Sequence, residues 1–211
     1  MNVAPEYFVF ALKPDANLSN FIMHSKSKTR ELVGDQTYLS HPPHLTLYVS
    51  AFDCETDVKE NCQVFASNLD SIEFDVQGWH SFEGDVLTGA RTLVCEISPS
   101  SRASLSGVQS NLIGHFAPRR NQAASTARYK SHFESLSEDR RRAVLDRGFP
   151  FIDDDWIPHL TIASINPSAW ATAWSELRKL SPEGSYRFQG IDLYRLDDDH
   201  PVLVDTYPLT R

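Results

Sequence analysis

Cysteine is scarce. The 211 residues hold three, Cys54, Cys62 and Cys95. The count is odd, no CxxC occurs, and no Cys/His ligand spacing appears, so a disulfide framework is excluded and a structural zinc site has no support. Reduced thiols fit a cytoplasmic protein. Long apolar runs are also missing: none approaches the roughly 20 residues that a membrane-spanning helix needs. Residues 1–13 lack a basic flank, a long apolar centre and a small-residue cleavage site, so they read as a first strand and not as a signal peptide. A surplus of positive charge is absent too. The net charge is −8, whereas a surface that grips long nucleic acid by its phosphates is usually basic. Long duplexes and membranes are therefore not expected partners. A small nucleotide or an RNA end held in a pocket remains open.

What is present is ordinary soluble-domain composition, 41% apolar and 23% charged residues. A chain of this length buries a full core without staples, and we expect a single domain over residues 1–211, as a monomer. Residues 117–148 depart from the average. They hold eight basic residues, Arg119, Arg120, Arg128, Lys130, Arg140, Arg141, Arg142 and Arg147, against four acidic ones. This segment reads as an insertion between two halves. Its bland reading is a solvated surface; its functional reading is a lid over a phosphate-rich substrate.

The chain is organised around a tetrapeptide that occurs twice. Residues 44–47 read His44-Leu45-Thr46-Leu47 and residues 159–162 read His159-Leu160-Thr161-Ile162, each after a proline, Pro43 or Pro158. On a strand, alternate side chains share a face, so His and Thr point one way and the Leu between them points the other. One such motif means little. Two, with the same order and the same preceding proline, describe a cleft with two imidazoles and two hydroxyls.

The pattern around the motifs predicts strands at 7–12, 44–50, 72–79, 92–97, 156–163, 185–196 and 202–209. It predicts helices at 16–34 (capped by Asp15 or Asn17 and ended by Gly34), at 55–69 (capped by Asp53), from Ser100 or Ser101 through Phe116, from Ser137 to Gly148, and from Pro167 to about 180. A turn lies between Gly84 and Gly89. In each half a motif strand is followed by a helix and then a strand pair, which suggests duplicated ferredoxin-like or split βαβ halves.

Two histidines can cleave a phosphodiester without a metal. A neutral imidazole takes the proton of the attacking water or ribose hydroxyl, and a protonated one gives a proton to the leaving oxygen. Thr46 and Thr161 face the same way and can donate to the phosphate oxygens. Other residues carry weaker signals. Tyr194 could stack on a base and Arg195 could pair with phosphate; both are equally explained as ordinary strand residues. Trp79 and Phe82 could form a base platform but fit the core better. His41, three residues before His44, reads as a loop histidine, and Asp153-Asp154-Asp155 as a solvated acidic loop. His24, His80, His115, His132 and His200 have no partner in the sequence.

Two HxTx motifs about a hundred residues apart, each in a β-prone run, resemble the signature of the 2H phosphoesterases, the superfamily of the 2′-5′ RNA ligase-like proteins and the cyclic phosphodiesterases. The opening YFVFAL strand, the stretch from Leu136 to Phe151, and the closing Ile191-Asp192-Leu193-Tyr194-Arg195 and Tyr207-Pro208-Leu209 resemble that family's pieces as well. The resemblance implies an α+β fold of two pseudo-symmetric antiparallel-sheet lobes, with outer helices and a central cleft. It implies an acid–base pair in His44 and His159, phosphate binding by Thr46 and Thr161, and no cofactor or metal. It leaves the substrate open among 2′,3′-cyclic phosphates, 2′-5′ linkages, ADP-ribose cyclic phosphate and oligonucleotide ends. It also leaves open a non-catalytic nucleotide- or RNA-end-binding module, and ligation, the reverse reaction.

Overall fold

The computed structural model describes residues 4–85 and 87–210; the first three residues of the N-terminal strand reading, and Val86 within the 84–89 turn, lie outside it. Strand β1 (Glu6–Pro14) is buried on both faces, with Phe8, Phe10 and Leu12 on one side and Val9 and Ala11 on the other. That double burial is why its sequence is an unbroken apolar run rather than an alternating one. Asp15 accepts the backbone N–H of Leu18 and starts α1 (Ala16–Val33), which Gly34 ends at φ 75°. The first motif runs into β2 (Leu45–Phe52), with His44 immediately before the strand, and α2 (Glu55–Ser67) follows. The cap of α2 is Cys54 without a side-chain bond; Asp53, the expected cap, instead accepts from Asn121.

Strand β3 (Ile72–Phe82) runs three residues past its expected end because it changes partner midway. Ile72 to Val76 pair with β6, and Val76 to Phe82 pair with β4 (Arg91–Ile97). Ser98, not Ser100 or Ser101, caps α3 (Pro99–Phe116). The insertion holds α4 (Gln122–Ala127), which the sequence pattern does not predict, and α5 (Glu138–Arg147), capped by Ser137 and closed by Gly148 as expected. Then come β5 (His159–Ile165), α6 (Pro167–Leu177), β6 (Gly184–Asp197) and β7 (His200–Pro208).

All seven strands join one antiparallel sheet in the order β2-β1-β6-β3-β4-β5, with β7 also on β6. The two sheets expected for two lobes are thus hydrogen-bonded into one, and β6 is the element they share. Its first residues pair with β3 and its later ones with β1 and β7. The expected order within each half is present: β2-α2-β3-β4 and β5-α6-β6-β7. The motif strands occupy the two ends of the sheet's order, yet β2 and β5 approach each other. The sheet therefore curls until its end strands meet. A core of Phe10, Phe52 and Phe116 fills one part of it, and Phe74 stacked on Phe188 with ring centroids 4.0 Å apart fills another.

The insertion covers the outer side of β2. Ser125 of α4 bonds Ser50 Oγ and accepts the N–H of Ala51, and Asn121 donates its N–H to the Ala51 carbonyl. This shields an edge strand that would otherwise offer unpaired backbone. Its arginines are mostly engaged: Arg128 with Asp199, Arg140 with Asp155, Arg141 with Glu134, Arg142 with Glu138 and Asp139, and Arg120 with two carbonyls. The solvated-surface reading suits these better than the lid.

Candidate active site

The two motifs are built alike. In both, the His and Thr are half-buried and the two aliphatic residues are buried. His44 Nδ1 lies 2.7 Å from the carbonyl of Pro42, and His159 Nδ1 lies 2.6 Å from the carbonyl of Ile157, in each case two residues upstream. A carbonyl can only accept, so Nδ1 carries the hydrogen in both rings, and Nε2 is the nitrogen left for chemistry. Both strands also bulge at the fourth motif residue. Against β1 the register passes from Thr46 to Tyr48, leaving Leu47 over; against β4 it passes from Thr161 to Ala163, leaving Ile162 over. A bulge bends its strand and re-aims the side chains next to it.

The histidines share one environment. The strands that carry the two motifs, β2 and β5, approach each other. Burial is the main influence on both, and it disfavours the imidazolium. His44 is held down to about 4, with the positive charges of Lys26 and His159 adding to burial, while the Pro42 carbonyl and Asp192 oppose it. His159 is also lowered, mainly by burial, while the Ile157 carbonyl and Asp85 support its protonated form.

The surroundings come from distant parts of the chain. Tyr194 stands beside His44, ring centroids 5.8 Å apart, and it is buried. Its hydroxyl donates to Asp192, which also accepts from Thr206. Tyr194 therefore walls the site. Arg195 follows on the same strand, where neighbours face opposite ways, and its guanidinium pairs with Glu55 at 3.1 Å and Glu6 at 3.7 Å. Phe82 meets the His159 ring edge-on at 5.0 Å, with His80 beyond it. Trp79 is core, packing on Phe21 and donating to the Leu180 carbonyl. His41 packs against Tyr38 and lies near His200, and burial holds it down to about 4. Asp153 to Asp155 form a short helical turn, with Asp155 paired to Arg140.

Three contributors escaped the sequence reading. Lys26 is fully buried, and its ammonium donates to the Tyr38 carbonyl at 2.6 Å. Burial and Arg30 lower it to about 7. Gln109 is buried on α3 and donates to the carbonyls of Leu47 and Phe151. Trp156 donates its indole N–H to the Thr46 carbonyl. The clue to the first two was a polar letter on an apolar stripe: Leu18, Ile22, Lys26 and Leu105, Gln109, Leu112 are spaced as one helical face.

An antiparallel α+β sheet that brings two His-x-Thr strands together defines the class. The sequence matches the 2′-5′ RNA ligase superfamily over residues 14–200, and the chain belongs to it. This is the 2H phosphoesterase relationship that the motifs suggest. No curated protein matches the chain. Among solved structures, TT0787 of Thermus thermophilus is similar at 16% identity and a TM-score of 0.57, covering 96% of this chain and 97% of that one. LigT of E. coli in complex with NADP+ is similar at 15% identity and a TM-score of 0.51, covering 99% and 100%. A structure described as a phosphoesterase matches at 14% identity, a TM-score of 0.51 and coverage of 99% and 100%. At these identities the likeness is one of fold. No helix among the described residues is long and apolar enough to cross a membrane.

Proposed function

We propose that this protein is a metal-independent phosphodiesterase that opens a cyclic phosphate or a 2′-5′-type phosphodiester of a small nucleotide or RNA end. The observation that carries this reading is the matched pair of Nδ1–carbonyl contacts, which leaves both Nε2 atoms for proton transfer. In the reaction, Nε2 of a neutral imidazole takes a proton from water as the water oxygen bonds to phosphorus. The bond from phosphorus to one ribose oxygen breaks, and that oxygen receives the proton from Nε2 of the other, protonated ring. One water is consumed, and the histidines exchange protonation states, to be reset through solvent. Thr46 and Thr161 donate to the non-bridging oxygens, where charge builds up.

The surroundings favour His44 as the base and His159 as the acid. Lys26 discourages a proton on the first, and Asp85 supports one on the second. LigT, which shares the fold, is known in complexes with NADP+ and with ATP. That supports a nucleotide as the ligand here.

The test is hydrolysis of 2′,3′-cyclic nucleotides and 2′-5′ oligonucleotides, with product analysis for 2′- or 3′-phosphate. His44→Gln and His159→Gln should each lower kcat by roughly 100-fold or more with folding intact, and EDTA should change nothing. Full activity in either variant, or a strict metal requirement, overturns the reading. Tight nucleotide binding without turnover across the panel would instead identify a binding module.

A further inference from the structure

β2 and β5 stand at opposite ends of the strand order, so no hydrogen-bonded ladder fixes the distance between the motifs they carry. Side-chain donors cross between them instead. Trp156, three residues ahead of His159, donates its indole N–H to the carbonyl of Thr46 at 3.2 Å. Gln109 donates from one amide nitrogen to the carbonyl of Leu47 at 3.0 Å and to that of Phe151 at 2.9 Å. Thr46 and Leu47 are consecutive motif residues at the β2 bulge, while Phe151 and Trp156 belong to the segment that delivers His159. Both donors are buried, where water does not readily replace a lost partner.

We infer that Trp156 and Gln109 are positioning residues that set the spacing of His44 and His159, by tying the backbone of the first motif to the segment leading into the second. This inference rests on the two-histidine reading of the site. In-line transfer needs the base and the acid on opposite sides of one phosphorus, and a shift of about 1 Å in such a geometry costs on the order of 100-fold in rate. A contact that served stability alone would lower the melting temperature and leave kcat in the folded protein unchanged. A spacing device lowers kcat while ground-state binding holds.

Gln109→Met keeps the side chain's bulk and removes the donor. Trp156→Phe removes the donor together with part of the buried ring, so its packing loss is read separately as a change in melting temperature. Each should lower kcat by about tenfold or more on a 2′,3′-cyclic mononucleotide, with KM within about threefold. A second readout needs no turnover. The titration of His44, followed by NMR of its ring nitrogens, should move when His159→Gln is introduced into the otherwise native protein. In the Trp156→Phe/Gln109→Met background that displacement should shrink measurably, by about a tenth for each ~1 Å added to a separation on the order of 10 Å, since interaction between charges falls with distance. An undiminished displacement overturns the inference, whatever the melting temperature does. If the native protein turns over no phosphodiester, the proposed function fails, and the NMR comparison still decides whether the brace sets the spacing.

Discussion

Each candidate catalytic imidazole spends one nitrogen on a carbonyl two residues upstream, and this fixes what the other can do. With burial lowering both rings, kcat/KM should follow a bell whose maximum lies below pH 6.5. The acid limb belongs to the loss of neutral His44, held at about 4. The alkaline limb belongs to the loss of protonated His159 and falls below its ordinary 6.5. Lys26→Met removes a positive charge that opposes protonation of His44. The His44 value should rise toward 6.5, and the acid limb of the profile should move to higher pH; an unmoved limb would refute the role given to Lys26. The same shifts act on folding. His41 and His44 bind protons more readily unfolded than folded, so their contribution is complete above about 6.5 and is lost as pH falls toward about 4. Denaturant titrations across that window should show stability rising with pH. At this scale the repeat was legible: both tetrapeptides carry the same Nδ1–carbonyl contact and the same bulge. The pairing of Arg195 with Glu55 was not, because that carboxylate lies 140 residues away in the sequence.

Among the elements, the insertion is the one that the sequence leaves between two readings, a solvated surface and a lid. Its helix α4 is docked on β2 through Ser125 and Asn121. Ser125→Val should cost about 1–3 kcal/mol in thermal or urea unfolding, because Ser50 and the Ala51 N–H lose a buried partner. Gly148→Ala should cost more than about 1 kcal/mol. Its φ is 77°, and an added Cβ would meet Arg120, Ser125 and Ser50, each at 2.9 Å. A neutral outcome for both would mean that the insertion is not anchored there. Helix α5 was readable from Ser137 and Gly148, since caps are local chemistry. Helix α4 was not, because a six-residue, Ala/Ser-rich turn is stabilised by what it packs on and shows little periodicity.

For the molecule as a whole, charge and topology set the limits. Asp85 and Asp199 both act on Tyr38, and Asp85 also acts on His159, so the neighbourhood of the histidines carries acidic groups within a protein of net charge −8. Binding of a cyclic mononucleotide should therefore lose less than about tenfold between roughly 50 and 200 mM salt, unlike the roughly 10³–10⁵-fold of a protein gripping many phosphates. A steep salt slope would point to an extended RNA footprint. The strands themselves were legible from periodicity. Their closure into one curled sheet was not, because it depends on β6 dividing its edges among β1, β3 and β7, and pairings between distant segments leave no local trace in composition. That division has a consequence in time. β6 is the sixth strand in chain order, yet it joins β1 to β3. Until residues 184–197 are made, the strand ladder is in two parts, β1–β2 and β3–β4–β5, with one motif on each. Only single hydrogen bonds such as those from Ser164 to Thr37 and from Trp156 to Thr46 cross between them. The sheet beneath the two histidines becomes continuous only with β6.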